Sequence, residues 1–203
     1  MKNTTLFALA AATAATLVSA DTASLTVWDG ETAARGGGWA SPHADDKDKN
    51  FIKPQTATAH GGETALELRL EGGAWLGGGW NWHAWWPGDA GTDTTGFTHL
   101  VFWAKAAGGA VENFTVHLTG SGNNKNSSEP VRVAEHAKGV DLHDGEWHKI
   151  QIPLADFLSK EDKPFDRKTV WEITFGTWSQ NERAFSLFID DIGFVKIETP
   201  IGW

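Results

Sequence analysis

The sequence predicts an all-β fold, an antiparallel sandwich or jelly roll, on three observations. Apolar residues recur in short runs of alternating parity. Clusters of Gly, Asn, Asp and Pro separate those runs, and Gly alone accounts for 23 residues. No segment carries a sustained 3.6-residue apolar period.

The elements follow in chain order. Residues 1–20 read as a signal peptide: Lys2 supplies a basic start, Leu6 to Val18 is apolar and Ala-rich, and Val18-Ser19-Ala20 places small residues at a cleavage site. Cleavage after Ala20 leaves 203 − 20 = 183 residues, read as one domain over 21–203. The expected location is secreted or periplasmic, and export without any Cys fits a bacterial protein. Strands are predicted at Leu25–Trp28, Ala65–Leu70, Gly78–Trp85, His99–Ala106, Phe114–Thr119, Val131–Ala134, His148–Pro153, Trp171–Trp178 and Phe185–Lys196. Turns are predicted at Gly61-Gly62, Gly72-Gly73, Gly108-Gly109, Ser121–Asn124 and Asp144-Gly145. Leu154–Ser159 reads as a short helical turn.

Alternation assigns faces, because residues i and i+2 share one side of a strand. Trp171, Ile173 and Phe175 read as core, with Glu172, Thr174, Gly176 and Trp178 opposite. Phe114, Val116 and Leu118 read as core, with Thr115, His117 and Thr119 opposite. Leu100 and Phe102 read as core, leaving Val101, Trp103 and Lys105. The non-core faces thus combine polar residues with single Trp residues.

The chain holds 12 Trp and no Tyr, and five Trp crowd into WLGGGWNWHAWW: Trp75, Trp80, Trp82, Trp85 and Trp86. One strand and its flanks cannot bury five indoles on one side. Parity separates Trp80 and Trp82 from Asn81, His83 and Trp85, and leaves open which set faces outward. A flat indole face suits the C–H face of a sugar ring, at ~0.5–2 kcal/mol per ring by analogy with other aromatic contacts. The candidate ligand-binding residues are Trp80, Trp82, His83, Trp85, Trp86, Trp103, His117, Glu172 and Trp178. The expected partner is a polysaccharide or oligosaccharide.

The net charge of −9 and the lack of a Lys/Arg cluster argue against nucleic acid and anionic lipid. No apolar run beyond the leader is long enough to insert in a membrane as a helix.

The segments VWDGE (27–31), LVFWAKA (100–106), GEWHKIQIPLADF (145–157), VWEITFGTW (170–178) and FSLFIDDIGF (185–194) occur in an order that resembles β-sandwich carbohydrate-binding modules with a galactose-binding-like jelly roll. Family 11 and the family 4/9/22-type modules are similar. The resemblance implies binding of β-glucan-like chains along a sheet face. It also implies a structural calcium near the chain ends, with Asp29, Glu31, Asp190 and Asp191 as the expected ligands. Family 11 modules use Tyr heavily, and here Trp would replace it.

Two other functional classes fit less well. A glycosidase needs two carboxylates about 5–9 Å apart across a cleft. Glu172 has no evident partner, since Glu112 and Glu146 lie nearer turns. A lyase base would rest on His83 and His117 alone. A secreted assembly subunit would bury its Trp residues at subunit contacts, making self-association possible.

Overall fold

The computed structural model of the chain describes residues 24–31, 37–41, 51–70, 76–82, 91–108, 114–120, 126–137, 139–177 and 185–198. These form two antiparallel sheets packed as a sandwich, as the alternation predicts. The strands are β1 (Ser24–Trp28), β2 (Gly37–Ser41), β3 (Phe51–Gln55), β4 (Ala65–Leu70), β5 (Leu76–Asn81), β6 (His99–Gly108), β7 (Phe114–Gly120), β8 (Val131–Arg132), β9 (His148–Pro153), β10 (Val170–Thr177) and β11 (Phe185–Val195). The six-stranded sheet runs β3-β4-β11-β6-β9, with β1 beside the second half of β11. The five-stranded sheet runs β2-β5-β10-β7-β8.

Between the sheets the apolar parity sets meet. Leu66, Leu68, Leu100, Phe102, Leu187 and Ile189 come from one sheet, and Val116, Leu118, Ile173 and Phe175 from the other. Aromatic pairs cross the gap: Trp28 meets Trp80 edge-on at 4.9 Å between centroids, and Phe102 meets Phe175 edge-on at 5.6 Å.

Several predicted boundaries shift for identifiable reasons. The segment from Val131 is a strand for two residues only, then turns as a short 3-10 helix over Val133–Glu135. Leu154–Asp156 forms the expected helical turn. Two strands were not predicted. β2 (GGWAS) has two leading glycines and no alternation, and β3 (FIKPQ) contains Pro54. Both are edge strands, where a proline costs no ladder bond. Gly38 is required by their meeting, since a Cβ there would strike the Ile52 side chain and carbonyl oxygen.

Two bulges reset parity. On β11 the register slips between Asp190 and Gly193, with Asp191 at φ 47°, so both Ile189 and Ile192 reach the core. On β10 it slips between Val170 and Glu172. Val170 therefore fills the core position expected of Trp171. Trp171 stays half-buried, its Nε1–H donating to the Gly120 carbonyl at 2.8 Å.

Candidate functional site

The outward face of the five-stranded sheet is built as three rows in register. The first runs Gly37, Asn81, Glu172, Thr119 across β2, β5, β10 and β7. The second runs Trp39, Gly79, Thr174, His117, and the third Ser41, Gly77, Gly176, Thr115, Arg132. Inward-pointing Trp80, Ile173 and Leu118 fix this parity from below. Gly77, Gly79 and Gly176 contribute no side chains to the middle of the face, and all three are buried.

The polar groups of this face are held under cover. Asn81, Thr115, Thr119, Glu172 and Thr174 are all buried, although they point away from the apolar core. The Thr174 hydroxyl donates to Glu172 Oε1 at 3.1 Å, and the Thr115 hydroxyl to the Gly176 carbonyl at 3.3 Å. His117 makes no hydrogen bond among the described residues. Burial pushes its imidazole down from 6.5 to about 4. At neutral pH it is therefore uncharged, with one N–H donor and one acceptor nitrogen unspent. Beyond β8 the face reaches a polar cleft of about 450 Å³ lined by Arg132, Glu135, His136 and Asp156.

The predicted ligand residues separate into three groups. His117 and Glu172 share this face, paired through Thr174 and Thr119. Trp80 and Trp82 do not, because theirs is the parity set that turns inward. Trp80 is 3% exposed against Trp28, while Trp82 packs near Phe194 and donates its Nε1–H to Thr92 Oγ1 at 3.2 Å. Trp103 lies on the other sheet, because β6 pairs with β11 and β9. His83, Trp85, Trp86 and Trp178, like Trp75, lie outside the described residues. Residues 1–20 do as well. Asn81 belongs to the row of Glu172, and the W-N-W alternation already marked it as the partner of opposite parity. Position 39 went unnoticed because β2 shows no strand pattern.

Three of the four acids expected to hold calcium, Glu31, Asp190 and Asp191, bond the loop His60–Thr64. Asp190 Oδ2 accepts the N–H groups of His60 (2.8 Å) and Gly61 (3.3 Å), and its Oδ1 accepts the N–H of Asp191 (2.8 Å). Glu31 Oε1 accepts from Glu63 and Thr64, and Asp29 Oδ1 from Glu31. Asp191 Oδ2 sits 2.7 Å from His60 Nδ1. Burial raises the Asp190 carboxyl above its ordinary range, against the lowering effect of its N–H donors. Calcium needs six to eight oxygens turned toward one centre. Among the described residues no group of three or more such side chains converges on a point. As placed, Asp190 and Glu31 hold the loop through its N–H donors.

A loop held by N–H donors alone makes a clear prediction. A structural metal at a thousand times its Kd would add about 4 kcal/mol, or roughly 8–16 °C in melting temperature at this chain length. Melting curves in EDTA and in millimolar calcium are expected to coincide. A calcium-dependent rise of that size would show that the clamp rearranges around an ion.

A family profile described as carbohydrate binding domain 30 matches residues 24–196. Among solved structures, a family 30 carbohydrate-binding module is similar at 16% identity and a TM-score of 0.65, covering 90% of this chain and 92% of that one. The family 30 module of a cellulosomal cellulase of Clostridium thermocellum is similar at 16% identity and 0.63, covering 87% and 99%. A family 11 module from Clostridium thermocellum, in complex with a β-1,3-1,4-mixed-linked tetrasaccharide, is similar at 13% identity and 0.55, covering 86% and 96%. No curated protein sequence matches the chain.

Proposed function

The chain belongs to the carbohydrate binding domain 30 family, and from that membership we propose that it binds a neutral β-glucan-like chain on the outward face of its five-stranded sheet, without catalysis. The observation that carries this reading is His117, a half-buried imidazole kept neutral, beside Thr174 and with both nitrogens unspent among the described residues. Sugar hydroxyls both donate and accept, so a neutral imidazole and the carboxylate of Glu172 complement them. Glu172 is the only carboxylate in the three described rows, which supports binding over hydrolysis, since hydrolysis calls for two.

The stacking platforms in this proposal are Trp85, Trp86 and Trp178, which lie outside the described residues. Two or three such rings with hydrogen bonds give micromolar to millimolar affinity, about −4 to −8 kcal/mol. Export through residues 1–20 is part of the same reading. No described helix is long and apolar enough to cross a membrane.

Affinity electrophoresis in mixed-linkage β-glucan tests the site. The wild-type chain is expected to be retarded. Glu172→Gln removes hydrogen bonds made by a charged acceptor, a loss of about 1.5–3 kcal/mol, and should weaken retardation tenfold or more. His117→Ala should act in the same direction. Unchanged retardation in both variants, with intact circular dichroism, would move the site elsewhere. Absence of retardation in every neutral glucan would remove the proposal.

A further inference from the structure

The opposite face of the sandwich carries chemistry that the neutral-glucan reading leaves unused. Across the six-stranded sheet one row runs Lys53, Glu67, Phe188, Lys105 over β3, β4, β11 and β6. The next runs Asp190, Trp103, Lys149 over β11, β6 and β9. Two of these lysines lie against aromatic rings. Lys53 Nζ stands 3.9 Å from the Phe51 centroid, and Lys105 Nζ is 5.2 Å from that of Trp147. Trp103 stacks on His60 at 3.7 Å and 14°, and Trp147 meets the same imidazole edge-on at 6.1 Å. Trp103, Trp147 and Phe188 remain partly exposed, and Lys53 and Lys149 are exposed.

Lys53, Lys105 and Lys149 make no ion pair among the described residues. The acids nearby are engaged elsewhere. Glu67 accepts from the Ser186 hydroxyl, Asp191 contacts His60, and Asp190 is buried on backbone N–H groups. Unpaired ammonium groups therefore gather beside aromatic rings in a chain whose net charge is −9. From Lys53 to Lys105 is three strand spacings, about 14 Å.

We propose that this face is a second binding surface, for an acidic polysaccharide whose sugars carry carboxylates. A uronate ring offers a C–H face for the indoles of Trp103 and Trp147 and a carboxylate for Lys105 or Lys149. The rest of the acidic molecule repels such a chain only weakly, since charges more than about 10 Å apart are screened at 0.1 M salt. A second copy in two-fold contact would set lysines against lysines, which disfavours a dimer here. Three cations on a net-acidic chain are also too few for strong phosphate-backbone binding.

Affinity electrophoresis of the whole chain in polygalacturonate, run beside mixed-linkage β-glucan, tests the surface. Retardation by polygalacturonate is expected at low salt, and raising NaCl to about 0.5 M should remove it. Lys105→Gln with Lys149→Gln should weaken it about threefold to thirtyfold, leaving retardation by the neutral glucan unchanged. Trp147→Ala should weaken it too, showing that a ring as well as charge is used. His117→Ala should affect only the neutral glucan, so the two readings fail separately. The proposal is overturned by unaltered mobility in polygalacturonate or by retardation that the lysine variant retains. Parallel loss of both ligands in either variant would overturn it, as would a dimer in sedimentation that the lysine variant dissolves. Equal or stronger binding of single-stranded DNA through the same lysines would overturn it as well.

Discussion

Acidification from pH 6.5 to pH 4 is expected to cost the folded protein about 3 kcal/mol through His117 alone. The sign follows from burial. In the unfolded chain the imidazole titrates near 6.5, while in the folded sheet it titrates at about 4, because desolvation disfavours the charged form. The stabilising contribution is fully present above the unfolded value and is lost as pH falls through the folded one. Asp190 works in the opposite sense. Its carboxyl is raised by burial, so its contribution is complete below 3.8 and declines as pH rises through the folded value. Urea unfolding of the wild type and of His117→Asn at several pH values from 7 to 4 separates the groups. The variant is expected to lose the His117 part of the pH dependence. Parallel curves for the two proteins would show that the imidazole is solvated. The same result would remove the donor and acceptor on which the glucan site depends.

Trp80→Ala is expected to destabilise the fold by about 3–5 kcal/mol, as for other large aromatic truncations in cores. Trp80 is 3% exposed and packs edge-on against Trp28, which is 1% exposed. The two rings join β5 of one sheet to β1 of the other, so truncation opens a cavity at the contact between layers. Trp80→Phe should be much milder. The Nε1–H groups of Trp80 and Trp28 are both buried without a hydrogen-bond partner among the described residues, and phenylalanine removes one such group while retaining most of the packing. Leaving a donor unsatisfied costs about 1–3 kcal/mol, which offsets part of the lost volume. Thermal and urea unfolding of the two variants measure the contrast. If Trp80→Ala kept its stability but lost glucan binding, Trp80 would be a ligand platform after all. The expected result is the reverse, loss of stability, with binding changed only as far as folding is.

Most of the architecture could be read from parity. Phe114–Gly120 and His148–Pro153 alternate cleanly because one side of each faces the other sheet. The same rule puts His117 and Glu172 each on the non-core side of its own strand, and the pairing of β10 with β7 makes that one face. Where the rule failed, a bulge had intervened. Trp171 follows the parity of Ile173 and Phe175 in the sequence, but an extra residue in β10 hands the core position to Val170. Edge strands also carry no parity signal, since β2 (GGWAS) does not alternate and β3 buries only Ile52.

The candidate site was legible only in part. Polar residues at alternate positions could be found along each strand, but sheet membership could not. Trp103 looks equivalent to His117 in its own strand, yet the pairing of β6 with β11 and β9 places it on the opposite surface. The crowded Trp segment shows the same division. Its alternation separates Trp80 and Trp82 from Asn81, and only the partner layer decides which set is covered. Trp28 does so, by meeting Trp80 from across the sandwich.

By itself, then, the sequence determined the class of fold, the period-2 faces and the residue types able to meet a sugar, because these depend on local alternation and composition. The tertiary structure decided which rings are core, which strands share a surface, and that the terminal acids clamp a loop. Each of those outcomes depends on which distant strand lies alongside, and no local pattern encodes the neighbour. That difference left Trp103 beside unpaired lysines on the opposite face, away from His117.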